Sequence, residues 1–401
     1  AEGNEHGPFF SFKGFDNNIY YLLTPEGYYY NFSGCGNTLN CNHPIVRQMI
    51  LDCLRYWVNT YRVNGFRFDL ASILGRNEDG SPMNKPPLLQ ALAFDPILGD
   101  VKLIAEAWDA DGLYQVGTFP SWNRWAEWNG RYRDDMRRYL KGDEGMAQAA
   151  ALRLVGSHDI YEIDTRGNAS VNFITCHDGF TLYDLYSYNE KHNEKNGWNN
   201  TDGSNDNHSW NCGVEGDTDD PEILALRKRM IRNAFAILMC SRGIPMFLAG
   251  DEFCNTQFGN NNSYCQDNIT SWLDWRLLEK NRDIFQFFKY MINFRKTHRL
   301  LRTNVSNGVN GFPDVSFHGV KPWCEHFAGY DRYIGVMFTG QEKSSGPQFI
   351  YIASNAYWEE VEVTLPELPI SMCWKVVVDT WEEYQKPYAL YSDKITLGPR
   401  S

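Results

Sequence analysis

The chain has 401 residues and a formal net charge of −12. That is long enough for two or three domains around a large core. With no block of Lys and Arg, the charge balance argues against nucleic acid and anionic membrane as partners. No run of about 18 apolar residues indicates a transmembrane helix.

Residues 1–43 read as loop-rich, with aromatic clusters and the run NFSGCGNTLNCN. His43-Pro44 then opens a helix over 44–61, on whose apolar face Ile45, Met49, Leu54 and Trp57 recur at helical spacing. VNGFRFDLAS (63–72) reads as a buried strand that carries two charges. Residues i and i+2 share a face of a strand, so Arg67 and Asp69 point one way and Phe66 and Phe68 the other. A salt bridge on a sheet face is one reading; a carboxylate kept ionised by its arginine at the end of a barrel strand is the other. PPLLQALAF suggests a short helix, and VKLIAEAW (101–108) is a continuous apolar run ending in Glu106, as a buried parallel strand does. AEWNGRYRD (126–134) is a weaker strand followed by helix near 134–153, and SVNFITCHD (170–178) again ends an apolar strand in charge. A long polar loop covers 186–218, a helix covers 221–241, and GIPMFLAGDE (243–252) ends in acid. GNNNSYCQDN (259–268) is a loop and 281–296 a helix.

This is the rhythm of β/α units, with acids at the C-terminal ends of strands, as a (β/α)8 TIM barrel places its catalytic groups. Five units can be placed where a closed barrel needs eight, so the expectation is a partial barrel, roughly strands 4–8, over 1–302. From 303 short strand-like runs replace helix: VSFHGV, YIGVMF, QFIYIASN, EEVEVTLP, WKVVVDT and KITL. They predict a small C-terminal antiparallel β-sandwich domain over 303–401.

The ten cysteines include no C-x-x-C pair, which suggests reduced thiols and a cytoplasmic protein; a Cys35–Cys41 loop disulfide is the alternative. His158, His192 and His208 lack ligand-like spacing, so no zinc site is read. The acid-rich loop at 202–220 does not resemble an ordered calcium loop. Many of the 13 Trp, 23 Tyr and 24 Phe residues stand in Asn- and Gly-rich segments such as SWNRWAEWNG and NGWNNTDGSNDNHSWNCG. Rings that cover C–H faces and amides that bind hydroxyls suit a sugar ligand.

Three strand-end carboxylates, Asp69, Glu106 and Asp178, fit carbohydrate chemistry. Retaining glycoside hydrolysis needs a carboxylate nucleophile and a proton donor about 5–5.5 Å apart. Arg67 would keep Asp69 ionised, and the apolar surroundings of Glu106 would raise its pKa. GFRFDLAS, IAEAWD and FITCHDGFTLYDLYSY resemble three of the four conserved segments of the α-amylase superfamily, glycoside hydrolase family 13. GCGNTLNCNHP, DGLYQVGTFP, WAEWNGRYRDD and FGNNNSYCQDN resemble its isoamylase and glycogen debranching branch.

The resemblance implies Asp69 as nucleophile, Glu106 as acid/base and Asp178 as the third acid, with Arg67 and His177 contacting the sugar. Trp108 and Asp267 are weaker substrate-binding candidates; packing above the barrel and turn formation are the alternatives. Asp251 and Glu252 are expected to brace the barrel mouth. The activity implied is hydrolysis of α-1,6 branch linkages in glycogen, amylopectin or limit dextrin, without cofactor or metal. The alternatives are α-1,4 hydrolysis or glucan transfer on the same machinery, or a non-catalytic glucan-binding subunit of a debranching complex. The family's first conserved segment is absent, so the chain reads as an internal fragment lacking the first barrel strands.

Overall fold

The computed structural model describes residues 3–161, 169–303, 307–342, 346–381 and 387–401. The chain divides into two compact units, one of residues 1–129 and 160–171, the other of residues 130–159 and 172–401.

In the first unit α1 (Ser11–Tyr20) precedes α2 (Pro44–Tyr61). α1 lies inside the stretch read as loop, and Asp16 interrupts it with non-helical dihedrals. α2 runs as the periodicity predicts: Pro44 sits at its first turn, and the His43 ring accepts a hydrogen bond from Ile45 N. Then follow β1 (Gly65–Phe68), α3 (Pro87–Phe94), β2 (Lys102–Ala105), β3 (Ala126–Trp128) and the start of β4 (Ser170–Phe173). β1, β2, β3 and β4 pair in that order, all parallel. Their shared core holds Leu51, Leu88, Leu92, Leu103, Ala105 and Trp125, with Phe66 and Phe68 packed against it. Phe68 lies 4.7 Å, centroid to centroid, from Trp125. Two aromatic rings drive β1 into this core, and the alternation of the strand turns Arg67 to the other face.

The second unit contains α4 (Gly130–Lys141), α5 (Ala147–Leu154), the end of β4, α6 (Leu182–Leu185), α7 (Pro221–Cys240), β5 (Ile244–Met246), α8 (Leu277–Lys280) and α9 (Arg282–Thr297). β5 hydrogen-bonds beside β4. The single helix expected near 134–153 is two helices, because Gly142 and Gly145 both take positive φ between them. α7 is capped by Asp220, whose carboxylate accepts from Glu222 N and Ile223 N, and Pro221 opens it. Phe235 of α7 stacks on Phe288 of α9 with centroids 3.5 Å apart. Tyr132, Met136, Met230 and Ile231 fill the same core.

The last hundred residues form antiparallel sheets. β6 (Val315–His318), β7 (Tyr333–Glu342) and β8 (Gly346–Asn355) make one. β9 (Val361–Thr364) pairs with β12 (Lys394–Leu397), and β10 (Lys375–Val376) with β11 (Tyr388–Ala389). Among the described residues no helix is long and apolar enough to cross a membrane.

Candidate active site

Asp69 is the first residue past β1 and Glu106 the first past β2. The two strand ends are laced together by the backbone. Glu106 N donates to Phe68 O at 3.1 Å, and Ala71 N to Glu106 O at 2.8 Å. Leu70, between Asp69 and Ala71, takes a left-handed conformation (φ 42°, ψ 51°). That is costly for a side chain branched beyond Cβ, and such strain persists only where neighbours impose it. Its product is a hydrogen bond of 2.7 Å from Leu70 N to Glu106 Oε2.

Arg67 joins the two acids. One terminal nitrogen lies 2.7 Å from Asp69 Oδ1 and the other 2.9 Å from Glu106 Oε1. The guanidinium rests over the Trp128 ring, 4.3 Å from its centroid. The acids differ in setting: the side chain of Asp69 is 75 % exposed and that of Glu106 only 4 %. Burial pushes the Glu106 carboxyl up to about 7; the Leu70 N–H and Arg67 pull it down, and the Asp69 carboxylate pushes it up again. An exposed carboxylate paired with arginine, beside a buried carboxyl pushed up toward neutrality, can divide the labour of nucleophile and acid.

Trp108 stands two residues past Glu106. Its N–H donates to Glu106 O at 2.9 Å, and its ring stacks on Tyr114 at 6.0 Å with the planes 10° apart. Three nearby charged groups escaped the sequence reading. Arg76 is buried under the Phe32 ring and donates twice to Asp109 Oδ2, at 2.9 and 2.7 Å. Glu127 on β3 is buried and accepts from Gly117 N at 2.7 Å. Burial pushes its carboxyl up to about 7. The available signal was a charge inside a strand-like run, as for Arg67, but AEWNG was too short to count as strong.

His177 and Asp178 lie in the second unit. His177 Nε2 is 3.5 Å from Asp178 Oδ1, and both side chains are more than half exposed. The segment leading to them is braced from behind. Buried Arg137 donates to Ile174 O at 2.8 Å and to Asn207 O at 3.1 Å. Asp251, past the end of β5, accepts from the Thr175 hydroxyl and from Leu182 N. Its complete burial pushes its carboxyl up to about 7. Glu252 accepts from Gly250 N at 2.8 Å.

The loops of this unit are joined by side-chain amides. Asn193 and Asn261 bond reciprocally, Asn193 Nδ2 to Asn261 Oδ1 at 2.8 Å and Asn261 N to Asn193 Oδ1 at 3.0 Å. Asn196 and Asn262 both donate to Asp202 Oδ2 at 2.8 Å. Asn260 Nδ2 donates to Asn196 Oδ1. The asparagines of GNNNSYCQDN thus tie this loop to 193–207 rather than only shaping turns. On these loops Trp198, Phe258, Tyr264, Trp272 and Trp275 are exposed. Asp267 accepts from Trp272 Nε1 at 3.0 Å within its own loop. All ten cysteines are free, Cys35 and Cys41 included.

A 49 % identical relative, Isoamylase 3, chloroplastic, of Oryza sativa subsp. japonica, aligns with 92 % of this chain and 46 % of its own length. The Glycogen debranching enzyme of Salmonella paratyphi A is 40 % identical over 92 % of this chain and 54 % of its own. The chain spans about half the length of the curated relatives it matches. Among solved structures, pullulanase from Bacillus acidopullulyticus superposes with a TM-score of 0.69 at 21 % identity, over 95 % of this chain and 42 % of that one, so the two share a fold. The family model "Alpha amylase, catalytic domain" matches residues 20–276, across both strand-end acids joined by Arg67, and the chain belongs to the α-amylase family, glycoside hydrolase family 13.

Proposed function

We propose that this chain carries the catalytic machinery of a debranching hydrolase that cuts α-1,6 branch linkages of glycogen, amylopectin or limit dextrin with retention of configuration. The observation that carries the reading is the Arg67 bridge between exposed Asp69 and buried Glu106. Asp69 attacks the anomeric carbon while Glu106 gives its proton to the departing 6-oxygen of the branch point. The bond to that oxygen breaks as the ester to Asp69 forms. Glu106, now a carboxylate, takes a proton from water, which attacks the anomeric carbon; the bond from that carbon to Asp69 breaks and Asp69 leaves as the carboxylate. Asp178 takes the role of the third acid and His177, with Arg67, that of a sugar contact. Trp108 and Asp267 serve as further substrate contacts. The names of the relatives, isoamylase and glycogen debranching enzyme, support the α-1,6 specificity.

The architecture we infer is a (β/α)8-type barrel over 1–302, of which strands 4–8 are present, with a C-terminal β-sandwich domain over 303–401. The parallel pairing of β1 to β4 and the antiparallel sheets after residue 314 support it. Free thiols throughout support a cytoplasmic setting.

The test is digestion of amylopectin, reading new reducing ends and chain lengths together. Debranching releases linear chains and leaves pure amylose uncut. Release of short oligosaccharides from amylose would overturn the α-1,6 reading; binding of glucan with no new reducing ends would overturn the catalytic one.

A further inference from the structure

The short stretch that carries His177 and Asp178, residues 174–179, is exposed at its tip and tied at both ends. At its start Arg137 Nε donates to Ile174 O at 2.8 Å, and a terminal nitrogen of the same guanidinium donates to Asn207 O at 3.1 Å. At its end Gly179 N donates to Asn261 O at 3.0 Å. The Asn261 side chain closes the circuit, because its Nδ2 donates to Asn207 Oδ1 at 2.9 Å. Both ends of the stretch therefore lead to Asn207, one through Arg137 and the other through Asn261. Between them the Cys176 thiol donates to Asp178 O at 3.2 Å.

Asn261 has little freedom to move. Its Nδ2 also donates to Ser204 O at 2.8 Å, while its Oδ1 and backbone N are both taken by Asn193. Arg137, Asn193, Asn207 and Asn261 are all buried. Bonds between buried polar groups are expensive to leave unmade, so these four residues act as one unit. The Asp178 side chain is by contrast 66 % exposed and has little packing of its own, so its place is set by its backbone. A group that meets charge developing in a transition state must be held to within about 0.5 Å, and a displacement of about 1 Å can cost about a hundredfold in rate. We propose that Asn207 and Asn261 are positioning residues that, with Arg137, hold Asp178 where the proposed hydrolysis needs its third acid. The inference rests on the reading of the chain as a glucan hydrolase.

Two measurements on the full chain test it. Asn207→Ala removes the acceptor of Asn261 and leaves the backbone oxygen that Arg137 uses. In hydrogen exchange read by peptide mass, the amides of 175–182 should then exchange about tenfold faster, while those of β7 keep the parental rate. Unchanged exchange at 175–182 would overturn the proposal whatever the chain hydrolyses. On amylopectin, Asn207→Ala and Asn261→Ala should each lower kcat about tenfold with KM little changed, and the double variant should be no worse than about twofold beyond either. With maltosyl fluoride as substrate, Asn261→Ala should cost about tenfold in the parent but less than about twofold beside Asp178→Asn. A joint that serves stability alone lowers the melting temperature and leaves kcat unchanged well below it. That result, or an equal loss with and without the Asp178 carboxylate, would overturn the proposal. Should Asn261→Ala not fold, Asn207→Ala takes its place beside Asp178→Asn under the same criteria. If the chain cuts only α-1,4 bonds, kcat is read on amylose and only the debranching reading fails. If it cuts nothing, the exchange result alone decides whether the circuit holds Asp178.

Discussion

Arg67 holds Asp69 and Glu106 at once, so each acid feels the state of the other. Asp69→Asn keeps the shape and loses the anion that attacks. The expected outcome is a fall in kcat on amylopectin of at least about a thousandfold with the melting temperature little changed. Near-parental turnover would remove Asp69 from the mechanism. In the proposed mechanism Glu106 must be protonated to assist departure, and its carboxyl is pushed up to about 7. Activity is therefore expected to decline as pH rises through that value, because the proton is lost. Glu106→Gln should flatten this limb of the kcat/KM profile as well as lower it, and a sugar fluoride, which needs little acid help, should suffer less than a branched glucan. In the proposed mechanism Asp69 loses its charge on becoming an ester, and with it goes one cause of the raised Glu106 pKa. The group thus becomes more willing to stay ionised in the half-reaction that needs it as a base. These acids were legible in the sequence because each ends an apolar run. Arg76, Asp109 and Glu127 were not, because their partners are fixed by loop paths that no periodicity encodes.

Among the elements, those with a strong period and a chemical start signal were read closely. Pro44–Tyr61 and Pro221–Cys240 each begin with a proline at the first turn and a capping side chain before it. α1 was missed because SFKGFDNNIY carries a glycine and two asparagines and is broken at Asp16. Tyr388–Ala389 is too short to show any alternation. The asparagine joints were invisible for another reason: residues 193–207 and 260–262 lie far apart in sequence, so only the fold makes them neighbours. Gly203 marks how tight the joint is. It has φ +73°, and a Cβ would stand 2.3 Å from Asn261 Oδ1 and 2.8 Å from Asn193 Nδ2. Gly203→Ala should cost about 1–3 kcal/mol, combining left-handed strain with displaced amide bonds, seen as a lower urea midpoint at unchanged m-value. An unchanged midpoint would show that the joint yields freely.

At the scale of the whole molecule, the parallel β/α rhythm and the later change to short antiparallel strands were both visible in the sequence, since the hydrophobic period itself changes from helical to alternating near residue 303. The pattern could not show how the chain divides: β4 begins in one unit and ends in the other. Its four residues are all buried, and uniform burial carries no marker of a boundary. The cysteines give a direct probe of the folded chain. Cys35, Cys53, Cys265, Cys324 and Cys373 are exposed, whereas Cys41, Cys176, Cys212, Cys240 and Cys254 are buried, with burial raising all five thiols. A thiol reagent should label the first set promptly in native buffer and the second only with denaturant, and a reducing agent should leave the melting temperature unchanged. Rapid labelling of the buried set would mean that the cores open locally.

The amide joints also give this protein a chemical clock. Asn196 precedes Gly197, the sequence context in which an asparagine side chain most readily closes on the following backbone nitrogen and loses ammonia. Its Nδ2 donates to Asp202 Oδ2 and to Asn262 O, and its Oδ1 accepts from Asn260 and Gln266. While these bonds hold, the amide is kept from the rotation that ring closure requires. Once deamidated, position 196 would set a second carboxylate against Asp202, and the joint would repel where it had bound. Peptide mapping after prolonged warm storage should find 196 unmodified in the native fraction and modified in the fraction that has lost activity. Modified peptide accumulating in fully active protein would show that the joint does not depend on this amide.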